Sequence, residues 1–182
     1  MRTYFTKTCK LQYSIIYQNP IFDFKEPKAG HLVPIITIAS KVNDKLIDHL
    51  SRFPNELKTI DRRIFEEIIA ELFVGFGYQV ELTQKTRDGG RDIIAIKNLE
   101  ANIKYLIECK RPDVGNPIGI KPVRELFGVK NDEGATKAIL ATSTYFSKDA
   151  ILFFERNKWE LEPKDFNGII DWIDDYKKIK KN

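Results

Sequence analysis

Residues 86–112, TRDGGRDIIAIKNLEANIKYLIECKRP, decide how the rest of the chain is read. Two apolar runs separated by Asn98, Glu100, Ala101 and Asn102 read as a hairpin with a turn between its strands. Asp92 opens the first run, and Glu108 and Lys110 interrupt the end of the second. Side chains alternate sides along a strand, so Glu108 and Lys110 share one face and Cys109 points to the other. A hairpin centred on Glu100 sets Asp92 opposite Glu108, a register that a slip of one residue would break. Like charges facing each other across a sheet cost some tenths of a kcal/mol up to about 1 kcal/mol. Close to an apolar interior they cost more or take up a proton. A divalent cation resolves the conflict, because two convergent carboxylates make a hard oxygen site suited to Mg²⁺, with Mn²⁺ as a substitute. Lys110, one step further on, can then face an attacked phosphate or orient a metal-bound water. The competing reading is a solvated strand edge with Asp92 as a turn residue. One Asp and one Glu-x-Lys do not decide between the two, since so short a pattern is common by chance. The surrounding topology favours the site.

Working outward, a helix over 60–77 precedes the hairpin. Its apolar positions Phe65, Ile68, Ile69, Leu72, Phe73 and Phe76 recur at helical spacing, and Gly77 is its natural stop. Residues 78–83, 92–97 and 104–110 read as three strands joined by short turns, hence antiparallel. A helix over 122–130 has Pro122 in its first turn, and 137–144 reads as a buried strand. Ser147 caps a helix running to Trp159, and Pro163 begins a last helix toward the lysine-rich end. Residues 43–52 read as a short helix closed by Pro54. The expected fold is α/β, a mixed sheet flanked by helices on both faces. Residues 1–42 read as a β-rich extension of unassigned role, with strands at 12–17 and 33–39. Residues 43–182 form the main domain.

Composition sets wide bounds. The chain has 182 residues, 42% apolar and 31% charged, which suffices for one domain with a real core. No apolar run approaches the roughly 20 residues that span a bilayer. The N-terminus lacks the pattern of a secretion signal, and Cys9 and Cys109 form neither a disulfide framework nor a metal cluster. A cytoplasmic protein is therefore expected. The net charge of +4 is compatible with a nucleic-acid partner without requiring one.

The stretches FEEIIAELFVGFGYQVELTQKTRDGGRDIIAI, YLIECKRP, VRELFG and ATKAILATSTYFSKDA, in that order over about residues 60–160, resemble the Mrr-type restriction endonuclease domain of the PD-(D/E)XK nuclease superfamily. The resemblance implies an αβββαβ core and Mg²⁺-dependent DNA cleavage, usually in defence against foreign DNA. It places Asp92 in the family's Asp-Gly-Gly-x-Asp motif and Glu108 and Lys110 in its (D/E)-x-K half-motif. Many Mrr-type domains carry glutamine at the position of Glu108, and the departure here is toward the general superfamily pattern. The metal would lie on Asp92, Glu108 and the Cys109 backbone carbonyl. Glu66 matches the acid of the Phe-Glu pair in the first helix. At about 100° per residue it borders the apolar stripe, while Glu67 falls on the solvent side. Gly89 and Gly90 suit a tight turn.

Lys85, Arg87, Arg91, Arg111, Lys121 and Arg124 cluster in sequence around this segment and form a candidate basic rim for the DNA backbone. An ordinary mixed-charge surface accounts for them equally. No zinc-finger spacing or recognition-helix domain is evident, so specificity would come from the first 42 residues, from loops or from a partner chain. The family also implies a homodimer for cutting both strands. Two other readings stay open at this level. One is a nuclease for branched DNA, and the other is a non-catalytic DNA-binding module on the same fold.

Overall fold

The computed structural model describes residues 35–83, 91–98, 102–113 and 115–181. The expected strand at 12–17, Lys85, Arg87, Gly89, Gly90 and the middle of the hairpin turn lie outside the described residues. The element order is α1 (Ile35–Arg52), a 3₁₀ turn (Pro54–Lys58), α2 (Arg62–Gly75), β1 (Gln79–Leu82), β2 (Ile93–Asn98), β3 (Asn102–Lys110), α3 (Ile120–Asp132), β4 (Lys137–Thr142), α4 (Lys148–Arg156), β5 (Leu161–Lys164) and α5 (Phe166–Lys181).

The sheet runs β1-β2-β3-β4-β5 in chain order. The first three strands are antiparallel, and β4 and β5 join in parallel after helical crossovers. The β2–β3 register pairs Ile93 with Ile107 and Asn98 with Asn102, which centres the hairpin on residue 100 as expected. Alternation splits the core into two layers. Ile93, Ala95, Ile107, Cys109, Ile139 and Ala141 pack with α2 and α5. Leu106, Ala138 and Leu140 pack with α3 and α4. Both faces of the sheet are therefore covered, as parallel strands require.

Local chemistry sets the bounds of α2. The Asp61 carboxylate accepts the backbone N–H of Arg63 (2.7 Å) and of Ile64 (3.4 Å), capping the N-terminus. Gly77 takes φ 82°, a conformation that L side chains rarely adopt, and reverses the chain into β1. Lys97 Nζ donates to the Phe76 carbonyl (2.9 Å) at the same end. Ser147 caps α4 through the Ala150 N–H, also as expected.

Two local expectations are corrected. Within the strand expected at 33–39, residues 35–39 are instead the start of α1, one helix through Arg52, and 33–34 lie outside the described residues. Its β-branched opening, Ile35-Ile36-Thr37-Ile38, suggests a strand. Ala39, Val42, Leu46, Ile47 and Leu50 continue at helical spacing, however, and β-branching lowers helix propensity only slightly. Pro163 does not begin a helix. It lies in β5 opposite Leu140, on the edge of the sheet where a residue without an N–H is tolerated. The last helix begins at Phe166, and the Asp165 side chain accepts the Gly168 N–H (2.9 Å).

Gly75 is a close-approach position. A Cβ there would stand 2.3 Å from Tyr176 Cε2 of α5. Gly75→Ala is expected to destabilise the protein by about 1–3 kcal/mol, the usual cost of overpacking. Gly128→Ala, on α3 with open space around it, should stabilise by about 0.5–1 kcal/mol. Urea midpoints that moved together for the two variants would contradict this packing.

Candidate active site

The hairpin carries its charged residues to one end of the sheet. Thr83 holds the backbone there. Its N–H donates to the Asp92 carbonyl (2.8 Å), and its hydroxyl faces the carbonyls of Arg91 (2.9 Å) and Asp92 (3.0 Å). The Asp92 N–H donates to the Ile107 carbonyl (3.0 Å). The β2–β3 register ends at the Ile93–Ile107 pair, and the Asp92 N–H addresses that same Ile107 instead of extending the ladder to Glu108. Asp92 Oδ2 accepts the Cys109 N–H (2.7 Å).

That bond orients β3. The N–H and C=O of a strand residue point to the same lateral side. The Lys104 carbonyl accepts from Thr136, on the β4 side, so residues 105, 107 and 109 face the β2 side. The Cys109 carbonyl is thus directed past the start of β2, where Asp92 lies.

Glu108 is 7% exposed and ion-paired with Lys110. Glu66, on α2, has a side chain only 13% exposed, and its Oε2 accepts from Arg63 (3.0 Å). Arg63 also donates to the Thr83 carbonyl (3.1 Å), tying α2 to the end of β1. Glu67 is 44% exposed, on the outer side as its helical angle requires.

Burial and the Glu108 charge push the Asp92 carboxyl up to about 6, against the pull of the Cys109 N–H, with Glu66 adding to the rise and Lys110 opposing it. Burial lowers the affinity of the Lys110 amine for its proton. The hydrogen bond and charge of Glu108, with the charge of Asp92, outweigh this and raise its pKa. The Cys109 thiol is pushed far up, first by burial and then by Asp92, Glu108 and Glu66. It is held as a neutral thiol rather than a nucleophile. Three carboxylates and one ammonium therefore interact at the sheet end.

Among the described residues, no three His, Cys, Asp or Glu side chains are arranged to hold a metal. The donor set available is two carboxylates and one main-chain carbonyl, all oxygen. It suits a hard cation that keeps several waters.

The basic residues are less uniform. Arg91 is ion-paired with Glu133, at the end of α3. Arg111 donates to the Lys58 carbonyl (3.0 Å), bracing the 3₁₀ turn. Lys121 is exposed near Glu125 (3.9 Å), and Arg124 lies 5.7 Å from the Phe153 ring. The Thr142 hydroxyl accepts the Thr144 N–H (3.3 Å), satisfying the backbone at the strand-to-helix corner. Sequence reasoning missed Arg63 and Thr83. The signal for Arg63 was its place three residues before Glu66 on one helix face. Thr83 gave none, because its partners Arg91 and Asp92 lie eight and nine residues further on.

A family model described as a restriction endonuclease, Mrr_cat, matches residues 57–173. The chain belongs to this restriction endonuclease family. A curated relative, the uncharacterized protein y4cE of Sinorhizobium fredii (strain NBRC 101917 / NGR234), is 26% identical over 136 residues. The match covers 72% of this chain and 34% of the relative, so the chain spans about a third of that protein's length. Among solved structures, the restriction endonuclease FokI matches with a TM-score of 0.52 at 12% identity, covering 87% of this chain and 33% of FokI. The DNA modification-dependent restriction endonuclease AspBHI matches with a TM-score of 0.48 at 17% identity, covering 86% of this chain and 44% of that one. The likeness to FokI is one of fold.

Proposed function

We propose that the chain is a Mg²⁺-dependent DNA endonuclease of the restriction or defence type. The observation that supports this reading is the meeting of Asp92, Glu108 and Lys110 at one sheet end, where Asp92 accepts the Cys109 N–H and Glu108 pairs with Lys110. Asp92, Glu108 and the Cys109 carbonyl would hold the ion. When bound, the ion would lower the pKa of an attacking water and neutralise charge on the phosphate. Lys110 places its ammonium beside the reacting phosphate and stabilises the extra charge of the transition state. Glu66 would accept a hydrogen bond from the water, with its carboxylate oriented by Arg63. The Glu108 charge raises the Asp92 pKa, and a cation held by both carboxylates would relieve that repulsion.

Lys121 and Arg124, exposed on α3, remain candidates for backbone contact. Arg91 and Arg111 serve internal partners first. Two copies acting on opposite strands would cut a duplex.

Incubation with methylated and unmethylated plasmid and with four-way junctions tests this. Strand breaks are expected with Mg²⁺ or Mn²⁺ and none in EDTA. Cleavage that proceeded at full rate in EDTA would overturn the metal assignment. Cleavage confined to the junctions would assign the protein to branched DNA instead.

A further inference from the structure

A second feature opens at the same end of the sheet. Past the carboxyl ends of β3, β4 and β5 lies a cavity of about 330 Å³, lined in part by Lys58, Ser143, Thr144, Tyr145, Asp165 and Phe166. Thr142 pairs with Lys110 in the β3–β4 register, so Ser143 begins one strand over and one residue beyond the ammonium. Neighbouring strands are about 4.8 Å apart, a step comparable with the roughly 3.4 Å rise per nucleotide along one DNA strand.

The lining suits a flat heterocycle better than a phosphate. Tyr145 is 53% exposed, yet its hydroxyl is tethered to the Gly115 carbonyl (3.1 Å), which holds the ring in place. Phe166 carries the Lys58 ammonium 4.3 Å from its ring centroid. Ser143 is 2% exposed and lines the cavity. The Asp165 carboxylate lines the cavity and would repel an anion. Two N–H groups at the start of α5 are already taken, that of Phe166 by the Thr144 carbonyl and that of Gly168 by Asp165.

We propose that this cavity receives a nucleobase unstacked from the strand being cut, beside the cleaved phosphate. Tyr145 supplies the stacking surface, and Ser143, with Asp165, meets the edge of the base. This rests on the nuclease reading and assigns it a position where the DNA must open locally. Ring stacking tolerates any base, while the hydroxyl and carboxylate favour a base edge rich in donors.

The test uses the full chain carrying Asp92→Asn and duplexes with 2-aminopurine stepped through the nucleotides that flank the cleavage position of the unaltered protein. Fluorescence is expected to rise on binding at one flanking position. Tyr145→Ala or Ser143→Val should remove the rise while anisotropy shows DNA still bound, and Tyr145→Phe should restore most of it. An abasic nucleotide at that position should weaken binding about tenfold, a penalty that Tyr145→Ala erases. A rise that survives Tyr145→Ala and Ser143→Val overturns the assignment. So does the absence of any rise in a protein that binds and cuts DNA, which leaves the nuclease reading standing. A chain that neither binds nor cuts DNA overturns both.

Discussion

Asp92→Asn is expected to lower DNA cleavage by about 10³-fold or more while leaving DNA bound, because it removes a carboxylate from the proposed ion site. The amide oxygen still accepts the Cys109 N–H, so the strand end keeps its geometry. The same substitution should stabilise the metal-free protein at neutral pH. Asp92 is raised from an ordinary 3.8 to about 6, by burial first and by Glu108 second. Its folded form therefore holds a proton more tightly than its unfolded form. The stability this contributes is fully present below about pH 4 and is lost as the pH rises toward about 6. After discounting for partial exposure, the loss is about 1–2 kcal/mol. Asp92→Asn should flatten that slope in urea unfolding followed from pH 4 to 7 without divalent ions. Mg²⁺ should stabilise the native chain and not the variant. A variant that cuts DNA at the native rate removes Asp92 from the site.

Lys110→Ala is expected to reduce cleavage by about 10²–10³-fold, the usual cost of removing one group that stabilises charge in a transition state. Its effect on stability should have the opposite sign to that of Asp92→Asn. Glu108 is almost buried and pairs with this ammonium. Losing the cation leaves two carboxylates facing each other, a penalty of about 1–2 kcal/mol once the partial exposure of Lys110 is allowed for. Added Mg²⁺ should recover more stability in Lys110→Ala than in the native chain. The pair of substitutions therefore separates a catalytic cluster from an ordinary surface ion pair. In the latter case neither would change cleavage and both stability changes would be small. DNA binding without cleavage by either Lys110→Ala or the native chain would support a non-catalytic DNA-binding module.

The hairpin was legible because its signals are local. Alternation assigns Glu108 and Cys109 to opposite faces, and the polar residues around Glu100 mark the turn that sets the register. The apolar stripe of α2 likewise puts Glu66 on the border of the buried face, where its side chain is found to be largely covered. Strand β5 was not legible. Leu-Glu-Pro-Lys is short, contains a proline, and becomes a strand only because β4 offers it a free edge. The start of α1 was misjudged because a β-branched run outweighed the helical spacing of the residues after it.

The charges show the same division. Sequence by itself determined the layered α/β order, the hairpin register centred on residue 100, and the helix face that carries Glu66, since each depends on periodicity or on a turn spanning a few residues. Only the tertiary structure decided which basic residues stay outside, because Arg91 is drawn to Glu133 and Arg111 to the Lys58 carbonyl, partners 42 and 53 residues away. It also decided that a cavity opens past the ends of β3, β4 and β5, since its walls come from the ends of separate segments. Contacts of that kind are chosen by packing between elements, and no local pattern encodes them.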